Sequence, residues 1–213
     1  DKLSAGRGDL SLGEQTAAFD PSRAATSQAA PRASDILMTA LDLACIPQEL
    51  TSRPQWVVWK AERGTKVPYD AKSGALAKSD TPTTWAAYTV AVRTFRAGGY
   101  TGIGYVFSPD DPYTGVDLDR CITGETVAPW ANAIIIALGS YSEVSPSGTG
   151  IKVWVLGKTP SAAKPRKEKI PPELIPSDVP GAIEIYPSGR FFTVTGWHVD
   201  GTPTDIRSAN GAL

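Results

Sequence analysis

A single histidine, His198, one methionine and two cysteines in 213 residues leave this chain few soft or imidazole ligands. One histidine excludes a His-rich zinc site and a Ser-His-Asp triad with interchangeable candidates. His198 itself sits in Gly196-Trp-His-Val-Asp200 and reads as a surface-loop residue. Cys45 and Cys121 have neither metal spacing nor a disulfide framework, which suits a reducing cytosol. No apolar run is long enough to span a bilayer, and no signal peptide is visible. Net charge is lacking too: 21 Lys and Arg against 22 Asp and Glu leave −1, with a pI near 5.9. A nucleic-acid partner then has to be held by local patches and metal, not by overall charge. There is no internal repeat.

Material for a core is plentiful, with hydrophobic residues at 41% and six tryptophans. The length suits one large domain or one domain with a tail. A start at Asp1 rather than Met and a stop at Ala212-Leu213 read as a piece of something longer. Residues 1–45, rich in Ala, Ser, Gly, Arg and Gln, read as a flexible tail or linker. Within them Asp35 to Ala44 has the pattern of a short amphipathic helix, capped by Ser34 or Asp35 and ended near Pro47. Residues 46–213 carry the globular pattern.

Gln55–Lys60 is β-branched and aromatic, hence a strand; Lys66–Asp70 is a second, and Lys72–Gly74 a turn. Thr83 or Thr84 caps a helix whose Trp85, Tyr88, Val92 and Phe95 recur at helical spacing, ended by Gly98-Gly99. Gly102–Phe107 is a buried strand. It is close to the aromatic strand motif of RNA-recognition domains but lacks that motif's leading basic residue. The tight turn Ser108–Pro112 is expected to make the next strand its antiparallel neighbour. Pro129 opens a helix through Ile134, Ile135 and Leu138, and Gly139 closes it. Strands follow at Ser142–Val144 and Ile151–Leu156, then a Pro/Lys-rich loop from Thr159 to Pro180. A final hairpin pairs Ala182–Tyr186 with Phe191–Thr195 around Pro187–Arg190. Strand runs separated by single helices predict an α+β fold on a mainly antiparallel sheet.

The chemistry centres on Thr114 to Cys121. Val116 and Leu118 point one way and Asp117 and Asp119 the other, as strand geometry requires. Neighbouring carboxylates repel unless a cation sits between them, and a divalent metal is the usual one. The same pattern also occurs at solvated strand ends. Glu184 alternates in the same way with Ile183 and Ile185, so a nearby strand would add a third carboxylate, unless it is a solvated glutamate. Between them lies Ser145-Pro-Ser-Gly-Thr-Gly150-Ile-Lys152, a turn whose backbone N–H groups, hydroxyls and lysine suit phosphate oxygens. It is no P-loop, because the Gly-Lys-Ser/Thr and the following helix are missing. Arg190 on the last turn, Lys66, and the basic run Lys164–Lys169 are further phosphate or backbone contacts, or solvated surface.

Taken in order, Trp56-Val-Val-Trp59, Lys66-Val-Pro-Tyr-Asp70, Gly102–Phe107, Gly115-Val-Asp-Leu-Asp119, Glu143–Lys152, Ile183-Glu-Ile-Tyr186 and Gly189–Gly196 form a recognisable series. Over roughly residues 46 to 200 the chain resembles the primase-polymerase domain of phage and plasmid replication proteins, in the archaeo-eukaryotic primase superfamily. The resemblance implies an RNA-recognition-like catalytic core joined to a small N-terminal α/β module, with the active-site cleft between them. It maps the first motif onto Asp117 and Asp119, the second onto Ser147, Gly148, Thr149, Gly150 and Lys152, and the third onto Glu184. Many members have His where Lys152 stands and Asp where Glu184 stands.

The implied activity is DNA primase/polymerase chemistry. Asp117, Asp119 and Glu184 would bind two Mg²⁺ or Mn²⁺ ions, while Ser147–Gly150, Lys152 and Arg190 hold a nucleoside triphosphate. The implied partners are a single-stranded DNA template, a primer, dNTPs or NTPs, and a helicase domain or helicase, in the cytoplasm of a bacterial host cell or similar. Two other readings stay open: a metal-dependent nuclease, and a nucleic-acid-binding module without catalysis. The first degrades DNA with metal alone; the second binds it indifferently to metal.

Overall fold

The computed structural model describes residues 41–158, 166–169 and 181–209, the middle segment by its backbone alone. The elements are α1 (Gln48–Thr51), β1 (Trp56–Glu62), β2 (Thr65–Tyr69), α2 (Tyr88–Arg96), β3 (Gly102–Phe107) and β4 (Tyr113–Asp119). There follow β5 (Ile122–Thr123), β6 (Thr126–Val127), α3 (Pro129–Leu138), β7 (Ser142–Val144) and β8 (Ile151–Leu156). The last are β9 (Arg166–Lys169), β10 (Ala182–Tyr186), β11 (Arg190–Val194) and β12 (Arg207–Ser208). The first sheet runs β11-β3-β1-β2 and the second β12-β8-β4-β10-β9, with β7 also on β8. Among the described residues only the β12–β8 pair is parallel. The fold is α+β and mainly antiparallel, as the strand and helix pattern predicts.

Apolar alternation decides which faces meet. Trp56, Tyr105, Phe107 and Phe192 of the first sheet pack with Tyr113 and Trp154 of the second in one aromatic core. The rings meet mainly edge to face, Tyr105 on Trp154 at 5.5 Å and Phe107 on Phe192 at 4.9 Å between centroids. On its other face the second sheet buries Val116, Leu118, Ile151 and Val153 against Ala131, Ile135 and Leu138 of α3. The sheets therefore share one interior. Among the described residues no helix is long and apolar enough to cross a membrane.

Several sequence expectations change. Ser108–Pro112 does not pair β3 with β4: β3 lies between β1 and β11, whereas β4 lies between β8 and β10. The turn instead passes the chain from one sheet to the other. The buried Asp111 carboxylate fixes it, accepting from Ser108 N at 2.7 Å, Tyr113 N at 2.8 Å and Gln55 Nε2 at 2.7 Å. The segment Pro187–Arg190 crosses in the same way, so β10 pairs β4 and β11 pairs β3, and the expected hairpin between them does not form. The helix expected from Thr83 or Thr84 begins only at Tyr88. Trp85 is extended and buried against Val57 and Val106, and Ala86 bridges Trp56.

Part of the expected Thr159–Pro180 loop is strand β9, paired with β10; the rest lies outside the described residues. Residues 1–40, with most of the Asp35–Ala44 helix, also lie outside them. Leu41 to Ala44 are not helical, because Asp42 N donates across to Thr195 O at 2.9 Å.

Candidate active site

The register of the second sheet lines up the charged residues. Glu143 faces Lys152, Lys152 faces Asp117, and Asp117 faces Glu184 across four neighbouring strands. Directly opposed residues share a sheet face, so all four point toward the first sheet. One row toward the interior the same strands carry Trp154, Gly115 and Tyr186, which belong to the aromatic side. One row toward the strand ends come Ser145, Gly150, Asp119 and Ala182, where small residues flank the second aspartate. Charge thus appears where the shared core gives way to open space.

Lys152 is 3% exposed, and its Nζ donates to Asp117 Oδ2 at 2.6 Å while lying 4.2 Å from the Phe192 ring centroid. The other carboxylate oxygen, Asp117 Oδ1, is buried with no hydrogen-bond partner among the described residues. An unpartnered buried carboxylate oxygen is costly unless a cation meets it, so this atom fits a metal ligand. The three expected carboxylates share one face, Asp117 and Glu184 in the same row and Asp119 one row on. They do not converge on one point. Among the described residues no three His, Cys, Asp or Glu side chains gather closely enough to hold a metal.

A cleft of about 660 Å³ opens beside this row. Asp117, Lys152 and Tyr186 line it from the second sheet; Lys66, the Lys78–Asp80 loop and Arg190 line it from the first. Burial within the cleft and the nearby Lys152 ammonium lower the Lys66 pKa, while Asp117 and Asp119 pull it back up. Its own surface remains exposed, so the desolvation comes from the enclosing walls. The Lys78–Asp80 loop is pinned by Trp85 Nε1, which donates to Lys78 O at 2.7 Å, and by Ser79 Oγ, which donates to Gly189 O at 2.8 Å. The second contact ties it to the turn that carries Arg190. Among the described residues Lys66, Lys78 and Arg190 have no carboxylate at ion-pair distance, which leaves three cations facing one cleft.

The Ser147–Gly150 turn is not part of the cleft lining. Its hydroxyls form a chain, Ser145 Oγ to Ser147 Oγ at 2.9 Å and Ser147 Oγ to Thr149 Oγ1 at 3.0 Å. It packs instead on the end of β4: a Cβ on Gly150 would lie 2.9 Å from Leu118 O and 3.6 Å from Asp119 Cα. His198 does not face the cleft. It is half-buried, stacked on Tyr141 at 5.6 Å, with Nε2 3.0 Å from Thr202 Oγ1.

No protein-family model matches the chain. Among curated proteins, the DNA Primase-polymerase of Nitratiruptor phage NrS-1 is 37% identical over 154 residues, 71% of this chain. Over these residues the chain is similar to that primase-polymerase. It spans only 20% of that relative's length. In this chain the residues expected for the first and third motifs, Asp117 and Glu184, are register neighbours on β4 and β10, and Lys152, expected for the second, is in contact with Asp117.

Two features escaped the sequence reading. Lys78 and Ser79 reach the cleft from a loop with no periodicity, and only the long-range fold brings them there. Glu143, fully buried, had one local signal: a charged residue in a three-residue strand immediately before the Ser-Pro-Ser-Gly turn.

Proposed function

We propose that this chain carries out template-directed nucleotidyl transfer, as a DNA primase or DNA polymerase in the replication of a phage or plasmid. The observation that carries the proposal is the cross-strand row in which Asp117 stands between Lys152 and Glu184 at a cleft lined by three further cations. Asp117, Asp119 and Glu184 are the proposed ligands of two Mg²⁺ or Mn²⁺ ions, and the unpartnered Asp117 Oδ1 supports that assignment. When bound, such ions neutralise phosphate charge and activate the attacking hydroxyl.

The chain's own residues do the positioning. Lys152 and Arg190 hold the phosphates of an incoming dNTP or NTP, joined by Lys66 and Lys78 on the opposite wall. The Ser147–Gly150 turn stiffens the Asp119 end of β4 and offers hydroxyls and N–H groups beside it. Single-stranded template and primer occupy the open side of the cleft. A helicase, as a further domain or a separate partner, and the host cytoplasm complete the setting.

The deciding experiment supplies a single-stranded template, Mg²⁺ or Mn²⁺, and dNTPs or NTPs, with and without primer. Asp117→Ala is expected to abolish incorporation while circular dichroism stays that of the wild type. Normal primer extension by that variant would sink the site. Degradation of labelled DNA with metal alone would make the chain a nuclease instead.

A further inference from the structure

Lys152 is a nearly inaccessible ammonium, and a buried charge needs a fixed counter-charge. Asp117 supplies one, through Oδ2 at 2.6 Å. A divalent ion bound at Asp117 would need the same carboxylate and would meet a positive charge already seated there. The two cations compete. For both to remain, Lys152 must find another partner without leaving the interior.

The sheet provides one. Glu143 is the register neighbour of Lys152 on the side away from Asp117. Its carboxylate is held in place by three donors: Thr195 N to Oε1 at 3.2 Å, Gly196 N to Oε2 at 3.0 Å and Tyr141 Oη to Oε2 at 3.1 Å. A carboxylate has roughly four acceptor positions, so Oε1 retains room for one more donor. The donors come from the end of β11 and from the residue before β7, not from Lys152, so Glu143 stays put if Lys152 moves. It is also the nearest carboxylate to Lys152 in the row apart from Asp117.

We infer that Glu143 is a positioning residue, which draws Lys152 off Asp117 and serves as its counter-charge when a divalent ion binds. The inference rests on the assignment of Asp117 as a metal ligand. In the metal-free state Lys152 acts as the resident cation of the site. On loading it turns along the row toward Glu143, and its ammonium stays close enough to the cleft to meet phosphate afterwards.

The test uses Mn²⁺ alone with the full chain, at a mildly alkaline pH that keeps Glu143 ionised. Free Mn²⁺ is read by electron paramagnetic resonance, so that no turnover is needed. Lys152→Ala removes the competitor and is expected to tighten Mn²⁺ binding about tenfold, whereas Lys152→Arg, which keeps a cation on Asp117, stays near wild type. Glu143→Gln leaves Lys152 with Asp117 alone and is expected to weaken binding about tenfold. In the Lys152→Ala background, Glu143→Gln is expected to change nothing.

An equal loss in both backgrounds would mark Glu143 as merely structural and overturn the inference. So would a folded Glu143→Gln protein with wild-type affinity. If Glu143→Gln fails to fold, the two Lys152 variants decide: no tightening by Lys152→Ala overturns the competition on which the idea stands. Asp117→Ala separates the two levels. Unchanged Mn²⁺ binding in that variant would refute the metal assignment itself, and a loss there with silent Lys152 variants would refute the exchange alone.

Discussion

Gly115 stands two residues before Asp117 on the same face of β4, and the space above it is already taken. A Cβ there would lie 2.5 Å from Cζ of both Phe107 and Phe192, distances no relaxed side chain tolerates. Phe192 in turn lies under the Lys152 ammonium at 4.2 Å. One absent side chain thus lets the aromatic core close up and sets the surface on which the Lys152–Asp117 pair rests. Gly115→Ala is expected to destabilise the fold by about 1–3 kcal/mol, the range for overpacking a filled core. Urea denaturation would measure it, with a lowered midpoint and an unchanged slope. A wild-type midpoint would mean that the two rings relax freely, and the site would not depend on their packing.

At the scale of elements, the cleft has one wall made by register and one made by loops. The register wall was largely legible beforehand. Period-two alternation located β4, β8 and β10 and set Asp117, Asp119 and Glu184 opposite their apolar neighbours. What alternation does not encode is which strands pair. Ser108–Pro112 and Pro187–Arg190 both have hairpin chemistry, yet each carries the chain between sheets. The deciding contacts are long-range ones, such as Gln55 on Asp111 and Lys158 on Tyr113 O. The start of α2 was misjudged for a related reason. Trp85 fits a helical period, but burial against Val57 and Val106 holds it extended, and tertiary packing overrides local pattern. The loop wall was illegible, since Lys78 becomes a cleft residue only through Trp85 and Gly189. Its contribution is testable. Combined Lys66→Ala and Lys78→Ala substitution is expected to raise KM for the incoming nucleotide roughly tenfold with a smaller change in kcat, as removal of ground-state phosphate contacts does. A fall in kcat at constant KM would move these lysines from substrate binding to the chemical step.

Across the described residues the two sheets meet at several places, and a buried carboxylate sits at one of these joints. Glu143 belongs to β7 of the second sheet and accepts from Thr195 N and Gly196 N, where the chain leaves β11 of the first. Val144 N, next in sequence, donates to Trp197 O at 2.8 Å and extends the seam. Desolvation pushes the Glu143 pKa from 4.5 up to about 7, against the pull of the backbone donors, Tyr141 and Lys152. The charged and titratable groups around it are Lys152 on β8, Tyr141, whose own pKa burial raises, and His198 behind that ring. Between pH 4.5 and about 7 the unfolded chain has lost this proton and the folded chain still holds it. The native state then binds more protons, so stability falls as pH rises through that window and levels off above it. The loss from this one group is on the order of 3 kcal/mol. Other carboxylates contribute their own slopes, so the readout is the difference between wild type and Glu143→Gln. The variant starts from a different level because one acceptor is replaced, but its thermal midpoint should decline less than wild type from pH 4.5 to 7. Curves that run parallel across that range would mean that Glu143 keeps an ordinary carboxylate pKa. The joint would then be held by its hydrogen bonds without a buried proton.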